Sequence, residues 1–317
     1  MSSVGVVLGA GGIVGAAYHA GVLTALAEAG FDAGDADLIV GTSAGSGVAA
    51  SLRAGFPALD LAARNLGRPI SAEATAIVGR TGGPPIIDYR PRPFSRALVP
   101  ASPRLLFHAG RHPAKAIAGL LPTGTISTDV IGERVAALYA DRTWPERPLW
   151  ICAVDLDRGD RVVFGRDDVD APIGVAVQAS SSIPGFFRPV EHRGRRYVDG
   201  GVHSPTNADL LAEAGFDIVV IVSPMSATRI AHGALLPSAR PLHARRLAHE
   251  VDRIRRAGTQ VLTFQPTPAD VAAMGRNPMD PARRHATTEA ALASARERLT
   301  DPAVAERLEL LTATSNR

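Results

Sequence analysis

The 317-residue sequence is short of several things, and each shortage excludes a class of protein. It has one cysteine, Cys152, so neither a disulfide framework nor a cysteine-based zinc cluster can form. It has one lysine, Lys115, and arginine supplies the rest of the positive charge. With abundant alanine, glycine and proline, that bias reflects genomic base composition and carries no function. The net charge of +3 is too small to make nucleic acid the expected partner. No run of about 18 apolar residues is free of breaks. Residues 4 to 26 precede the first charged side chain, Glu28, but six glycines and His19 interrupt them. They also lack the positive n-region and cleavage site of a signal peptide. The expectation is a cytoplasmic protein, with peripheral contact at a membrane surface left open.

A hydrophobic fraction of 46% against 21% charged residues is enough for a real core and excludes a disordered chain. Residues 1 to about 66 alternate strand and helix signals. Val4 to Leu8 reads as a buried strand, and Ala16 to Ala29 as a helix stopped by Gly30. Asp37 to Val40 reads as a second strand, and Ala44 to Ala54 as a helix closed by Gly55. Short connections between them imply a βαβ unit and a parallel sheet. Residues 68 to 126 are broken by prolines such as Pro69, Pro84, Pro91, Pro103 and Pro122, with Ile86, Phe94, Leu105 and Phe107 between them. That pattern fits an inserted lid over a site or a plain surface excursion. Strands return at 149–154, 161–164, 217–222 and 260–264. Arginine-rich amphipathic helices are expected at 243–257 and 281–299, within a helical C-terminal part from about 240 to 317. The whole chain, 1–317, reads as a single domain with a three-layer α/β/α architecture and a mainly parallel central sheet.

Three motifs carry chemistry. Gly41-Thr42-Ser43-Ala44-Gly45 lies between a predicted strand and a predicted helix, the setting a G-x-S-x-G nucleophile elbow requires. The flanking glycines permit close backbone approach, and the serine hydroxyl projects near a helix N-terminus. Gly9-Ala10-Gly11-Gly12-Ile13-Val14-Gly15 links the first strand to the first helix. Its amides suit either a dinucleotide phosphate or the oxyanion of an acyl-transfer intermediate. A dinucleotide site needs an acidic residue at the end of the second strand, where this chain has Gly41-Thr42-Ser43, so the oxyanion reading is preferred. Two adjacent parallel strands then end at one crevice. Asp199-Gly200-Gly201 is by itself a common turn, but its aspartate can approach a serine closely enough to act as a base.

In this order, and together with Ala179-Ser-Ser-Ser-Ile-Pro-Gly-Phe-Phe187, these motifs resemble the patatin-like phospholipase family over roughly residues 3 to 225. The resemblance implies a serine acyl hydrolase with a Ser–Asp dyad. Ser43 would be the nucleophile, Asp199 its base, and the backbone around Ala10, Gly11 and Gly12 the oxyanion hole. The implied substrate is a lipid or other acyl ester: phospholipid, lysophospholipid or neutral lipid. Cofactor and metal are not expected, since no His/Asp/Glu cluster has ligand spacing. The family's loop usually carries arginine or lysine before its last glycine, and Val14 stands there. That departure keeps a second reading open, a catalytically weak lipid-binding or regulatory protein with the same fold. A serine acting without imidazole also requires Asp199 to be desolvated, because an aspartate near pKa ~3.9 is a weak base at neutral pH. The nine histidines leave a Ser-His-Asp triad as a minor alternative, with His203, His232, His243 and His249 following Asp199. His19 is expected to be structural. Arginines flanking the proline-rich segment (Arg80, Arg90, Arg92, Arg96, Arg104, Arg111) would make any contact with an anionic membrane surface.

Overall fold

A computed structural model describes residues 2–81, 100–103, 105, 113–139, 142–227 and 239–312. Much of the proline-rich segment, with Phe94, Phe107, Arg90, Arg92, Arg96, Arg104 and Arg111, lies outside the described residues, as does His232.

Five parallel strands form the centre of the sheet in the order β3-β2-β1-β7-β8. They are β1 (Val4–Leu8), β2 (Leu38–Thr42), β3 (Leu149–Asp155), β7 (Ile218–Val222) and β8 (Gln260–Phe264). β1 and β7 are buried along their whole length, as expected of parallel strands covered on both faces. Three further strands, β4 (Arg161–Phe164), β5 (Val190–His192) and β6 (Arg195–Asp199), pair antiparallel.

The layers are unequal. One face carries α1 (Gly12–Glu28), α2 (Ala44–Arg53), α3 (Ala58–Asn65), α6 (Asp129–Leu138), α7 (Ile173–Ser180), α10 (Arg284–Leu299) and α11 (Pro302–Thr312) over the larger core. The other is covered by α8 (Arg240–Arg256) and the short turn Ala208–Leu211, whose Leu211, Leu247, Val251 and Ile254 pack on Val7, Val40 and Val219. Shorter helices α4 (Ala72–Arg80), α5 (Pro113–Leu120) and α9 (Pro268–Met274) complete the fold.

Element ends shift by up to four residues, and two of the shifts bear on the site. α1 begins at Gly12, four residues before the expected Ala16, because the glycine loop itself makes its first turn, with the Gly15 amide donating to Gly11 O at 2.9 Å. β2 runs on through Gly41 and Thr42, so the elbow starts on the strand.

The register of β3 fixes the site. β2 and β4 both pair with Ile151 and Cys152, so they lie on opposite edges of β3. β4 and β6 both pair with Ala153 and Val154, so they too lie on opposite edges. β2 and β6 therefore share one edge, end to end. Thr42 ends β2 opposite Cys152, and Asp199 ends β6 opposite Ala153, the next residue. The strand directions bring the residue after β2 to the last residue of β6.

Candidate active site

Ser43 occupies the one-residue step from β2 to α2. Its φ of 53° and ψ of −122° are strained for a residue with a side chain. The surroundings hold that strain in place. The Ser43 amide donates to Ser180 Oγ at 2.8 Å, and Ser180 Oγ donates to Cys152 O at 2.6 Å. Ser43 O accepts from the Ser46 amide at 2.9 Å and from Ser46 Oγ at 2.6 Å. The two motif glycines are required by space. A Cβ on Gly41 would lie 2.6 Å from Ser46 Cα, and one on Gly45 2.0 Å from Leu8 O.

Asp199 is buried at the end of β6. Its amide donates to Ser182 O at 3.0 Å, and its Oδ1 accepts from the Gly201 amide at 2.7 Å. The Ser43 side chain lies beside the Asp199 carboxylate and favours the charged form. Burial raises its pKa to about 6, against the opposing pull of Ser43 and of the Gly201 amide. This is the direction a serine with no imidazole requires.

Among the described residues, no histidine hydrogen-bonds to Ser43. His19 contacts Gly9 O through Nε2 at 2.7 Å, and burial lowers its pKa to about 4. The neutral ring donates to that carbonyl and so supports the glycine loop. Burial and nearby cations lower His203 to about 3.

The glycine loop divides its amides between scaffold and cavity. The Gly9 amide donates to Val222 O at 3.0 Å, Ala10 to Pro205 O at 2.7 Å and Val14 to Pro278 O at 3.1 Å. The Ala10 amide is thus committed to Pro205 O, unlike those of the other two residues expected to face an oxyanion. Among the described residues, the amides of Gly11 and Gly12 meet no acceptor. They sit at the start of α1, where the helix dipole favours negative charge. Gly12 has a φ of +62°, and a Cβ there would lie 2.6 Å from Pro278 O. Val14 is packed into the core and does not take up a cation's role at the loop. The support comes from another element. Pro224 backs the loop so closely that a Cβ on Gly11 would lie 2.9 Å from Pro224 Cβ, and Arg240 Nη1 donates to Pro224 O at 2.5 Å.

A second clamp holds the turn after Asp199. The buried Glu250 of α8 accepts from Ser204 Oγ at 2.6 Å, from Thr206 Oγ1, and from the Ala208 amide at 3.1 Å. Asn207 Nδ2 in turn donates to Thr42 Oγ1 at 3.1 Å, one residue before Ser43. Sequence reasoning missed Glu250 and Asn207, whose surroundings form no motif. It gave Ser180 no role of its own, although its position in the Ala179–Phe187 segment was a usable signal.

Ser43, Asp199, Gly11 and Gly12 border a cavity of about 340 Å³. Ile117 and Leu121, contributed by α5 and the residue after it, form part of its wall with Ile183, Val202 and Met225. Leu105, from the proline-rich segment, packs on Val154, Leu156 and Val198. A small set of polar groups in a mostly apolar pocket is the usual composition of a site for an apolar ligand with one reacting group.

Two solved structures are similar to this chain at low identity. VipD from Legionella pneumophila matches with a TM-score of 0.39 and 13% identity, over 93% of this chain and 67% of that one. The type III effector protein ExoU matches with a TM-score of 0.35 and 19% identity, over 95% of this chain and 54% of that one. The patatin-like phospholipase family model matches residues 6–212, which hold the glycine loop, the elbow and the Asp-Gly-Gly turn. The chain belongs to the patatin-like phospholipase family.

Proposed function

We propose that this protein hydrolyses fatty-acyl ester bonds of lipids through a Ser43–Asp199 dyad and an acyl-enzyme. The observation that carries the reading is Ser43 beside a buried carboxylate, both lining an apolar cavity with two amides that have no acceptor among the described residues. Asp199 takes the hydroxyl proton as Ser43 Oγ bonds to the ester carbonyl carbon. Negative charge gathers on the carbonyl oxygen, where the Gly11 and Gly12 amides receive it. One such donor is worth on the order of 10²–10³ in rate. Asp199 returns the proton to the leaving alcohol oxygen as the C–O bond breaks. Water repeats the sequence on the acyl-enzyme, with Asp199 again as base and then acid. A carboxyl group with pKa about 6 suits both tasks near neutrality better than an unshifted one. Among the described residues no helix is long and apolar enough to cross a membrane, so contact with a lipid surface on this reading is peripheral.

A fluorophosphonate probe tests the dyad. The protein should label and hydrolyse short-chain esters, and Ser43→Ala and Asp199→Asn should lose both. A histidine→Ala variant that abolished labelling as completely as Ser43→Ala would replace the dyad by a triad. Wild-type protein that does not label is instead a lipid-binding member of the family.

A further inference from the structure

Among the described residues, the cavity's walls are apolar apart from Ser43, Asp199 and one other side chain, His243. His243 is on α8, half-buried, three residues from Arg240 on one side and from Arg246 on the other. Positions i, i+3 and i+6 share one helix face. All three are half-buried, while Leu242 and Arg245 between them are exposed. Both arginines act electrostatically on His243 and, with burial, hold its ring neutral. Among the described residues, the His243 ring makes no hydrogen bond. Arg246 Nε is buried and also has no hydrogen-bond partner there, although Glu250 Oε1 lies 3.5 Å away. Arg240 uses its Nη1 on Pro224 O and contributes charge. Across the cavity, on α5, the buried Lys115 lies within electrostatic reach of Arg246. Nearby carboxylates offset part of this charge: Glu250 on Arg246, and Asp160 on Lys115.

We propose that His243, which lines the cavity, forms with the charge of Arg246 and Arg240 behind it on the same helix face a headgroup site that receives the phosphate of an anionic phospholipid or lysophospholipid. The proposal rests on the acyl-hydrolase reading and assigns the leaving-group side of the same site. A carboxyl ester at Ser43 has an acyl chain on one side and an alcohol on the other. The apolar wall of Ile117, Leu121 and Ile183 suits the chain. The alcohol of a neutral glyceride asks for no cation, whereas a phosphodiester one glycerol away matches a neutral imidazole donor flanked by guanidinium groups.

The test is binding of two non-hydrolysable ligands with the same octyl ether chain, one a lysophospholipid with a phosphoglycerol headgroup and one a monoalkylglycerol. The full-length protein should bind the phosphate ligand about tenfold more tightly, the scale of a charge-assisted hydrogen bond. His243→Ala and Arg246→Gln should each bring the ratio of the two Kd values near one. His243→Gln, which keeps a donor, should retain most of it. A wild-type ratio near one, or a ratio that survives both His243→Ala and Arg246→Gln, overturns the assignment. Fluorophosphonate labelling separates the two readings. A labelled protein with no phosphate preference is a hydrolase without this headgroup site. An unlabelled protein with the preference has the headgroup site but not the dyad chemistry.

Discussion

Residues 6–212 and residues 213–312 contribute to one site in different ways. The first region holds Ser43, Asp199 and the glycine loop. The second holds neither member of the dyad, yet its Val222 and Pro278 carbonyls, Pro224, Arg240 and Glu250 fix those groups in place. Reacting groups need unusual backbone and close approach, which only certain residue types permit, and so they leave motifs. Supporting groups often act through a carbonyl oxygen, which every residue has, and so they leave none.

The largest effect expected is at the elbow. In Gly45→Ala the new Cβ would lie 2.0 Å from Leu8 O, main chain that cannot step aside without moving β1 or α2. Denaturant unfolding should show a loss of more than about 3 kcal/mol, or no folded protein. Gly47→Ala, on the same helix with nothing within 4 Å of the new Cβ, should instead gain about 0.5–1 kcal/mol. Equal outcomes would mean that the elbow glycine answers to helix propensity alone.

Next in size is Glu250→Ala in the motif-free region. It leaves Ser204 Oγ, Thr206 Oγ1 and the Ala208 amide buried without their acceptor. A loss of about 3 kcal/mol is expected. Ester hydrolysis by the protein that remains folded should also fall, because the same turn ties Asn207 to Thr42. Stability lost with activity per folded molecule intact would show that the second region supports the fold and not the site.

The division explains what could be read in advance. The strand-turn-helix pattern around Gly41–Gly45 needed only local signals, and the central strands appear within a residue or two of their expected bounds. The meeting of Ser43 with Asp199 was legible only through the resemblance, since it depends on β2 and β6 sharing an edge of β3. The commitment of the Ala10 amide was not legible at all. Nothing in Gly9-Ala10-Gly11 says that Pro205 O will approach to 2.7 Å. Helices α9 and α11 fall within the expected helical C-terminal part, but their individual bounds were not read in advance.

Asp199 links the two regions through pH. Its folded pKa of about 6 lies above the ordinary 3.8, because burial disfavours the charged form. Between about pH 4 and 6 the folded state holds a proton that the unfolded state has released, so stability falls as pH rises and levels off above 6. Asp199→Asn removes the ionisation. It should be about 3 kcal/mol more stable than wild type at pH 8, with the difference vanishing below pH 4. Over the same range kcat/KM of the wild type should rise with pH to a plateau above about 6, as the base ionises. Thermal unfolding of both proteins from pH 3.5 to 8 checks the sign, and a variant less stable than wild type at pH 8 would mean that the Gly201 hydrogen bond outweighs desolvation.

The smallest effect is the most specific test of what the second region does. Arg240 bonds to Pro224 O, and Pro224 backs Gly11 and Gly15 of the glycine loop. Arg240→Met keeps the stem's packing and removes the bond to Pro224 O. If that bond holds the Gly11 amide in line, kcat for a neutral short-chain ester should fall about tenfold and KM should move less. Fluorophosphonate labelling should slow in proportion but still reach completion, because Ser43 and Asp199 are untouched. Arg240→Lys should recover part of kcat, since an ammonium can still donate to one carbonyl. A neutral ester is the right substrate because it carries no phosphate for the cations of α8 to attract. A fall in KM-dominated terms alone would assign Arg240 to binding, whereas a kcat effect rescued by lysine makes it the loop's external support, the part that a cation at position 14 does not play in this chain.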